Sequence, residues 1–339
     1  MPKFSIIIPV YNVAPYLRKC LDSVCVAVER VGDGERGTGN RCGVEIICVD
    51  DGSTDGSGEI LDEYASRFNS STFQPFNLST FRVIHQENQG VAVARQVALD
   101  HCSGDWLCAV DPDDWVEPDF LKAFYDAICD GPVDMVWCDY YRDHGQSVRV
   151  STRTAEDATR HLEAILQDRV WGSLCNKAFS KRFVDAYSVR FPPKGCNTAE
   201  DVVFLCGFLM HDPVIKWIPA CTYHYVYRAG SLCNPKPNPE AYTPFIKSIE
   251  YIDSLFARTG RKESLRFRKQ QIKFGMYDKP YISNERFATT FPDVRDLWGM
   301  KVGVWHKVLF LLAVCGRRNM VLGALDFVRR MKNILRRKL

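Results

Sequence analysis

The sequence predicts an α/β protein, in which a mostly parallel sheet flanked by helices is followed by a helical C-terminal region. Two observations support this fold class. Short apolar runs alternate with segments of helical periodicity from Phe4 to Val110, as in consecutive βαβ units. Beyond a proline-rich stretch at Pro235–Pro239, the pattern is helical. We therefore expect one α/β domain and then a set of helices.

The predicted strands are short apolar runs, which is typical of strands buried on both faces. They are Phe4–Val10, Val44–Val49, Phe81–His85 and Trp106–Val110. The helices between them carry apolar residues at helical spacing. These are Leu17, Leu21, Val24 and Val28 in the first helix, Ile60, Leu61, Tyr64 and Phe68 in the second, and the segment Val91–Cys102 in the third. Two polar stretches, Gly32–Gly43 and Asn69–Thr80, are predicted surface insertions.

The pattern after residue 116 is looser. A helix is predicted to begin at Pro118, because proline is favoured at the first helical position. Val133–Cys138 is another strand-like run, and Ala241–Phe274 has helical periodicity. These segments extend the sheet and begin the helical C-terminal region.

The composition of the 339 residues, 46% hydrophobic and 25% charged, is that of a folded protein. The 14 cysteines occur without the paired spacing of a zinc site. Several lie in apolar runs, where a thiol behaves as a small hydrophobic group. The first residues, Met1-Pro2-Lys3-Phe4, lead into a strand without the layout of a signal peptide. We therefore expect a reducing, cytoplasmic location.

Polar residues follow three of the predicted strands: Tyr11-Asn12, Asp50-Asp51-Gly52-Ser53 and Asp111-Pro112-Asp113-Asp114. The carboxyl ends of parallel strands meet at one edge of a sheet, where ligands of open α/β folds bind. A divalent cation bridged to phosphate would offset the repulsion between the carboxylates gathered there. Each motif alone is more typical of a turn. Three of them in this order favour a metal-dependent site.

Several segments keep the order and spacing of one known family. They are Ser5–Asn12, Asp50–Asp55, Glu87–Gly90 with Ala94-Arg95, Asp111–Trp115, Asn176-Lys177, Ala199–Asp201, and Tyr225 with Arg228 and Ser231. In these segments the chain resembles the inverting nucleotide-sugar glycosyltransferases of family 2, which have the Rossmann-like GT-A fold. The resemblance implies a catalytic domain over residues 1–232, with a nucleotide-sugar half, 1–115, and an acceptor half, 116–232. Residues 233–339 would form the helical C-terminal region.

The resemblance also implies a donor site. Pro9, Tyr11, Asn12 and Asp51 would line the nucleobase pocket, where Asp51 would accept a hydrogen bond from the imide N–H of uracil. Arg95 would approach the nucleotide or its phosphates, because a guanidinium suits anionic oxygens. The implied donor is a nucleotide-sugar, with uridine as the favoured nucleoside.

In the same family the acidic motif holds Mn²⁺ or Mg²⁺. Asp113 would bind the metal, and Asp111 would contact the ribose or lie beside the metal as a further ligand. Asp114 would be either a second metal contact or an acceptor for a sugar hydroxyl. His224 is a candidate third metal ligand or diphosphate contact, although a lone histidine is more often structural.

Further positively charged and hydroxyl side chains are candidates for contacts with the phosphates. Arg228 and Ser231 would contact them directly. Lys177 would either neutralise the leaving group or form a salt bridge.

Inverting transfer needs a base on the face opposite the leaving diphosphate. Glu200-Asp201 matches the acidic pair of the family, and the resemblance implies that Asp201 deprotonates the acceptor hydroxyl. The alternative is a capping box from Thr198 to Asp201 at the start of a helix. The family match favours the catalytic interpretation.

The C-terminal tail is basic. From Lys301 to Leu339 there are ten Lys/Arg residues and one acid, Asp326. Apolar residues lie between the charges, so we expect an amphipathic helix on an anionic membrane surface, at the inner face of the cell membrane. The alternative is a helix packed on the protein. Val302–Cys315 is predicted to be too short to span a bilayer, and no recognition motif favours a nucleic acid.

The predicted function is transfer of a sugar to a glycan or lipid-linked acceptor, as in capsule or exopolysaccharide synthesis. A sugar nucleotidyltransferase is an alternative, but a Gly-rich phosphate loop would be expected where Val10–Val13 stands. A non-catalytic nucleotide- or glycan-binding relative is a second alternative, which the presence of both acidic pairs disfavours. A dehydrogenase is excluded, because no Gly-x-Gly-x-x-Gly follows a strand.

Overall fold

The computed structural model describes residues 3–32, 42–69, 79–153, 158–228, 238, 240, 242–259, 265–297 and 299–336. The chain divides into two compact units, residues 1–229 and 230–339. Most of the two predicted insertions, the proline-rich boundary and Ser231 lie outside the described residues.

The first half of unit 1 is a parallel sheet with helices between its strands. Its strands are β1 Phe4–Val10, β2 Val44–Asp50, β3 Ser79–His85 and β4 Trp106–Ala109, and its helices are α1 Ala14–Gly32, α2 Ser57–Asn69 and α3 Val91–Asp100. The strands pair in the order β3-β2-β1-β4, all parallel. This is the predicted succession of βαβ units, with boundaries within a few residues of those predicted.

The second half of unit 1 continues the same sheet with mixed strand directions. Its elements are β5 Trp115–Val116, α4 Phe120–Cys129, β6 Met135–His144, β7 Gln146–Val150, α5 Ala158–Leu166, β8 Lys177–Ser180, α6 Lys181–Ala186, α7 Glu200–Leu209 and β9 Ile215–Val226. The order continues β4-β8-β6-β9-β5, with β7 paired to β6. The helix predicted from Pro118 begins at Phe120. The α/β fold class is confirmed.

The hydrophobic core explains why the predicted periodicities hold. Leu17, Leu21, Val24 and Val28 of α1 are each at most 2% exposed and belong to the same cluster as the β1 side chains. Full burial of such a side chain stabilises the fold by about 1.5–3 kcal/mol. This packing holds the helix against the sheet and leaves the strand ends free to carry the polar motifs.

Unit 2 is helical. Its helices are α8 Thr243–Thr259, α9 Arg266–Tyr277, α10 Asn284–Thr289, α11 Val304–Leu312 and α12 Arg318–Arg336. A π-helical turn at Ala313–Arg317 joins the last two, with Gly316 at φ +82°. Arg318 is 3% exposed and donates to the carbonyl oxygens of Met276 and Ile282, among others, so the start of α12 is tied to the end of α9.

The C-terminal helices correct one prediction about length. Among the described residues, the helical run Val304–Met331 has 28 residues and contains an 18-residue window with a mean hydropathy of 1.6, enough by length and composition alone to cross a membrane. The expectation based on Val302–Cys315 missed the continuation into α12. However, the left-handed residue Gly316 interrupts the run. The nine residues of α11 alone extend about 14 Å, short of a ~30 Å hydrocarbon core.

Candidate active site

The polar motifs that follow β1 and β2 meet at one edge of the sheet. Val10 lies opposite Asp50 in the parallel register of β1 and β2. The loops are joined directly, since Ser53 Oγ accepts from the backbone N–H of Asn12 at 3.1 Å, and Asn12 Oδ1 accepts from the N–H of Thr54 at 2.8 Å. Asn12 has φ +50°, a conformation that asparagine tolerates better than most residues. The predicted convergence of these two loops is therefore present.

The proposed nucleobase residues differ in their accessibility. Pro9 is buried in β1 beside Val49 of β2, so it shapes the edge from within the sheet. Tyr11 is 49% exposed and presents an aromatic face where β1 ends. Asn12 uses its side chain to hold the neighbouring loop. Of these three, Tyr11 is the side chain available for stacking on a planar ligand.

Asp51 organises the loop that precedes α3. It is 2% exposed, and its carboxylate accepts from Gln86 Nε2 at 2.7 Å, from the N–H of Gln89 at 2.8 Å and from the N–H of Gly90 at 2.7 Å. A carboxylate has about four acceptor sites, so three protein donors leave room for little more than one further bond. Any contact of Asp51 with a base would add to this structural role.

Arg95 lies at the centre of the site and joins its two acidic groups. It is 3% exposed. Nη2 donates to Asp111 Oδ1 at 2.6 Å, while Nη1 donates to Glu200 Oε1 at 2.7 Å and to Oδ1 of Asp201. Burial opposes its charge, but Asp201, Asp111 and Glu200 raise the pKa of Arg95 well above its ordinary value. The Nη atoms of Arg95 are engaged by the three carboxylates, and the contact with the nucleotide or its phosphates that the resemblance implies stays a prediction.

The acidic pair at the start of α7 has strongly perturbed carboxyl groups. Burial, reinforced by Glu200 and Asp111 and opposed by Arg95, raises the pKa of Asp201 to about 8. Burial also raises the pKa of Glu200. The side chain of Asp201 is 19% exposed. It therefore combines limited access with a pKa near neutrality, the properties expected of a general base.

Helix α7 begins after a residue in the left-handed conformation. Its N-cap residue is Ala199, at φ +63° and ψ +23°, and alanine has no side chain that could form a capping hydrogen bond. A left-handed alanine costs roughly 1–2 kcal/mol. The strained residue directly precedes Glu200 and Asp201, whose carboxylates accept hydrogen bonds from Arg95.

The three aspartates of the motif after β4 have different environments. The side chain of Asp111 is 26% exposed, and Asp113 is 19% exposed. Asp114 is 3% exposed and accepts from Tyr223 Oη at 2.5 Å and from the N–H of Val226 at 2.8 Å. Asp114 therefore anchors β9, and a metal contact or a sugar hydroxyl contact, the two roles predicted for it, would add to this structural role.

Asp113 is paired with the candidate phosphate-binding arginine. Nε of Arg228 lies 2.5 Å from Asp113 Oδ2, and its guanidinium carbon lies 5.4 Å from the ring centroid of Tyr16. Burial and the neighbouring charge of Asp111 raise the pKa of Asp113, and Arg228 opposes the shift. Arg228 thus lies beside the acidic motif, in reach of an anion bound there.

His224 lies between two carboxylates and two aromatic rings. Nε2 lies 3.0 Å from Glu117 Oε1, and Nδ1 lies 3.1 Å from Asp143 Oδ2. The ring stacks between Trp115 and Tyr141, with centroid distances of 3.5 and 4.6 Å. Both ring nitrogens face carboxylates, an arrangement that favours the structural alternative stated for this histidine, and the metal role stays a prediction.

The acidic motif fits a metal held partly by a bound nucleotide. Among the described residues no group of three or more His, Cys, Asp or Glu side chains could hold a metal ion alone. Asp111 and Asp113 are the accessible carboxylates of the motif. Mg²⁺ commonly takes one or two carboxylates and completes its shell with phosphate oxygens and water. This donor set suits such an ion.

Two residues important to the site were missed by the sequence reasoning. Tyr223 donates to Asp114 and accepts from the backbone N–H of Asp111 at 3.2 Å. Gln86 holds Asp51. Tyr223 lies more than a hundred residues from its partners, and no local pattern signals such a contact. Gln86 directly follows β3, so its position at a strand end was the available signal.

Comparisons with known proteins identify the family of the chain. The family model described as Glycosyl transferase family 2 matches residues 5–185. The chain is 29% identical over 238 residues to the putative glycosyltransferase EpsH of Bacillus subtilis (strain 168), which is 68% of this chain and 62% of EpsH. It is 36% identical over 139 residues to the glycosyltransferase GlyA of Streptococcus pneumoniae, 41% of this chain and 17% of GlyA. The chain thus spans less than two thirds of both relatives.

A solved structure has the same fold. The crystal structure of S. aureus TarS 1–349 in complex with UDP-GlcNAc superposes with a TM-score of 0.59 at 19% identity, over 94% of this chain and 81% of that one. At this identity the likeness concerns the fold. The likeness in fold covers more of the chain than residues 5–185, which the family model matches.

Proposed function

Because the chain belongs to glycosyl transferase family 2, we propose that it transfers a sugar from a nucleotide-sugar to the hydroxyl of a glycan or lipid-linked acceptor, with inversion at the anomeric carbon. One observation carries this proposal: a single guanidinium, Arg95, contacts both Asp111 after β4 and Asp201 in α7. Asp111, on the proposed donor side, and Asp201, the proposed base, therefore accept hydrogen bonds from the same side chain.

The proposed chemistry divides the work between the two acidic groups. Asp201 removes the proton of the acceptor hydroxyl, whose oxygen attacks the anomeric carbon as the bond to the diphosphate breaks. Direct displacement from the opposite face inverts the configuration. Asp113, with Asp111 nearby, would hold Mn²⁺ or Mg²⁺, and such an ion supplies Lewis-acid stabilisation of the charge on the leaving diphosphate. Arg228 would add a positive charge on the same side.

We propose a UDP-sugar as the donor. The support is the exposed ring of Tyr11 at the end of β1, which could stack on a base, and the acidic Asp51 beside it. The structural neighbour TarS was solved with UDP-GlcNAc, which makes this compound a sensible first probe. A panel that includes GDP-mannose would test the base, since more rapid turnover of the guanosine donor would contradict the proposal.

The decisive experiment follows the fate of the donor. Purified protein with Mn²⁺ is mixed with UDP-sugars and candidate acceptors, UDP release is measured, and the anomeric configuration of the product is read by proton NMR. Inversion and loss of turnover in Asp201→Asn are expected. A retained configuration would exclude the single-displacement mechanism, and release of pyrophosphate from UTP and a sugar phosphate would point to a nucleotidyltransferase.

We further propose that the enzyme acts in cell-surface polysaccharide synthesis, in the cytoplasm and peripheral to the inner face of the membrane. The support comes from unit 2. Helix α11 exposes a stripe of apolar side chains at helical spacing: Val304, Trp305, Val308, Leu311 and Leu312, each at least 40% exposed. An exposed apolar stripe beside a basic segment is typical of helices that lie in a membrane interface. A lipid-linked acceptor would be met at that surface.

Liposome flotation tests this location. The full chain should float with vesicles that contain anionic lipid, less at high salt and less with neutral vesicles. Trp305→Ser and Leu311→Ser should reduce flotation, while Val148→Ser, an exposed apolar residue of unit 1, is the matched control. Equal flotation of the chain truncated at Gly299 would remove the membrane proposal and leave the enzymatic one untouched.

A further inference from the structure

A buried lysine belongs to the same charged neighbourhood as Asp201. Lys177, the first residue of β8, is 1% exposed. Its ammonium donates to the carbonyl oxygen of Ser173 at 2.6 Å, to Asn176 Oδ1 at 2.8 Å and to the carbonyl oxygen of Trp171 at 3.5 Å. All three acceptors belong to the loop that precedes β8. These contacts differ from both roles expected from the sequence, a phosphate contact and a salt bridge.

The loop held by Lys177 packs on the backbone that carries the base. Gly172 lies between the two carbonyl groups that accept from the ammonium. A Cβ on Gly172 would come 2.8 Å from Cγ2 of Val202. Val202 directly follows Asp201 in the first turn of α7. The loop that Lys177 holds therefore packs closely against the residue next to Asp201.

The titratable neighbours of Lys177, apart from Asp201, are neutral near pH 7. Burial raises the pKa of Cys138 on β6 to about 12 and that of Cys175 well above its ordinary value. Burial and the charge of Lys177 lower the pKa of His161 on α5 to about 3. Burial lowers the pKa of Lys177 itself to about 8, and Asp201 opposes this shift. Among these neighbours, Asp201 is the group that raises the pKa of Lys177 when it is ionised.

Other charged groups face Asp201 as well. Arg95 of α3 pairs with it directly, and Glu200 of α7 and Asp111 after β4 share that guanidinium. This cluster contains three carboxyl groups and one positively charged side chain, that of Arg95. Lys177 supplies a second cation from the β8 side.

We infer that Lys177 is a positioning residue for the proposed base: its buried ammonium holds the Trp171–Asn176 loop against α7 and stabilises the ionised carboxylate of Asp201. The inference rests on the proposed role of Asp201. A buried ammonium is a poor choice for packing alone, because its desolvation is unfavourable and a methionine of similar length would avoid it. Packing alone therefore does not explain why a charged side chain is buried at position 177.

An NMR titration tests the coupling without any substrate. The ¹³Cε shift of Lys177, assigned by its disappearance in Lys177→Met, is followed against pH in the full-length protein and in Asp201→Asn. Removing the negative charge should lower the pKa of Lys177 measurably, because an opposite charge stabilises the ammonium. An identical titration in both proteins would overturn the inference.

The pH profile of UDP-GlcNAc hydrolysis tests the functional consequence, with water as the acceptor. Lys177→Met should move the midpoint of the acid limb upwards by about half a pH unit, which lowers the rate at pH 7 about threefold. Lys177→Arg keeps the charge and should keep the midpoint. Gly172→Ala disturbs the same loop without changing charge, so it should lower the rate at every pH with an unmoved midpoint.

The two measurements separate this inference from the proposed function. An unmoved midpoint in Lys177→Met, with an active wild-type enzyme, would overturn the inference alone. Absence of UDP release from every donor by the wild-type protein would count against the proposed function, and the NMR titration would still decide whether Lys177 and Asp201 are coupled.

Discussion

The guanidinium of Arg95 donates to the carboxylate of Asp201 and thereby links the middle of α3 to the first turn of α7. The same side chain reaches Asp111 after β4 and Glu200 beside Asp201. The charge balance of the site therefore depends on one buried arginine. The electrostatics of the proposed donor and acceptor groups are coupled through it.

Replacing Arg95 with methionine should destabilise the protein strongly. The change leaves buried carboxylates without their cation, and breaking a buried ion pair in this way typically costs about 3–5 kcal/mol. Urea unfolding of both proteins measures the difference. Arg18→Gln is the matched control: Arg18 pairs with Glu63 on the surface, and its loss should leave the unfolding midpoint nearly unchanged.

Turnover should rise with pH through the pKa of Asp201, about 8. The base acts in its ionised form, so activity is lost as pH falls below that value. The kcat/KM for a UDP-sugar, measured from about pH 5.5 to 9, checks the position of the acid limb. A midpoint near the ordinary aspartate value of about 4 would contradict the perturbed base. Asp201→Asn should abolish the pH-dependent turnover.

Asp113 and Asp114 are neighbours in sequence and should respond differently to substitution. Asp113→Asn should weaken Mn²⁺ binding, measured by electron paramagnetic resonance, with little change in stability. Asp114→Ala should destabilise the fold by about 1–3 kcal/mol, because it leaves the buried N–H of Val226 without its acceptor. Equal losses of metal affinity in folded Asp113→Asn and Asp114→Ala would contradict this division.

Gly90→Ala should impair the donor site more than a comparable glycine substitution. Gly90 has φ +95°, and an added Cβ would lie 2.2 Å from Asn197 Oδ1. Gly90 also donates to Asp51, so the disturbance should raise the KM for the donor. Gly56→Ala is the control, since Gly56 has φ +91° with no atom within 4 Å of an added Cβ. If KM increases equally in both variants, the cause is backbone strain at the positive φ and not the contact with Asn197.

Much of the fold followed from local patterns. The apolar runs of β1, β2, β3 and β4 were predictable because strands buried on both faces are continuously apolar. Carboxyl ends of parallel strands share an edge, which made the meeting of the Asn12 and Asp51 loops predictable as well. The strand pairing in the second half of unit 1 was harder to predict, because its strands run in both directions and pair with segments distant in the chain.

The roles of individual polar side chains were less accessible to sequence reasoning. Arg95 was expected at the phosphates and is buried among carboxylates. His224 was expected near a metal and faces Glu117 and Asp143. In each case the partners lie on other elements of the fold. A sequence motif does not indicate which acidic side chains will lie next to an arginine or a histidine after folding.

The sequence by itself determined the α/β architecture, the acidic strand ends and the basic, apolar tail, because these depend on residue type and on periodicity along the chain. Tertiary structure alone decided the partners and the burial of each carboxylate. Asp113 is partly exposed and pairs with Arg228, while Asp114 is buried and accepts from Tyr223 and Val226. Burial and hydrogen bonding are properties of the folded chain, and they separate a candidate ligand from a structural anchor one residue away.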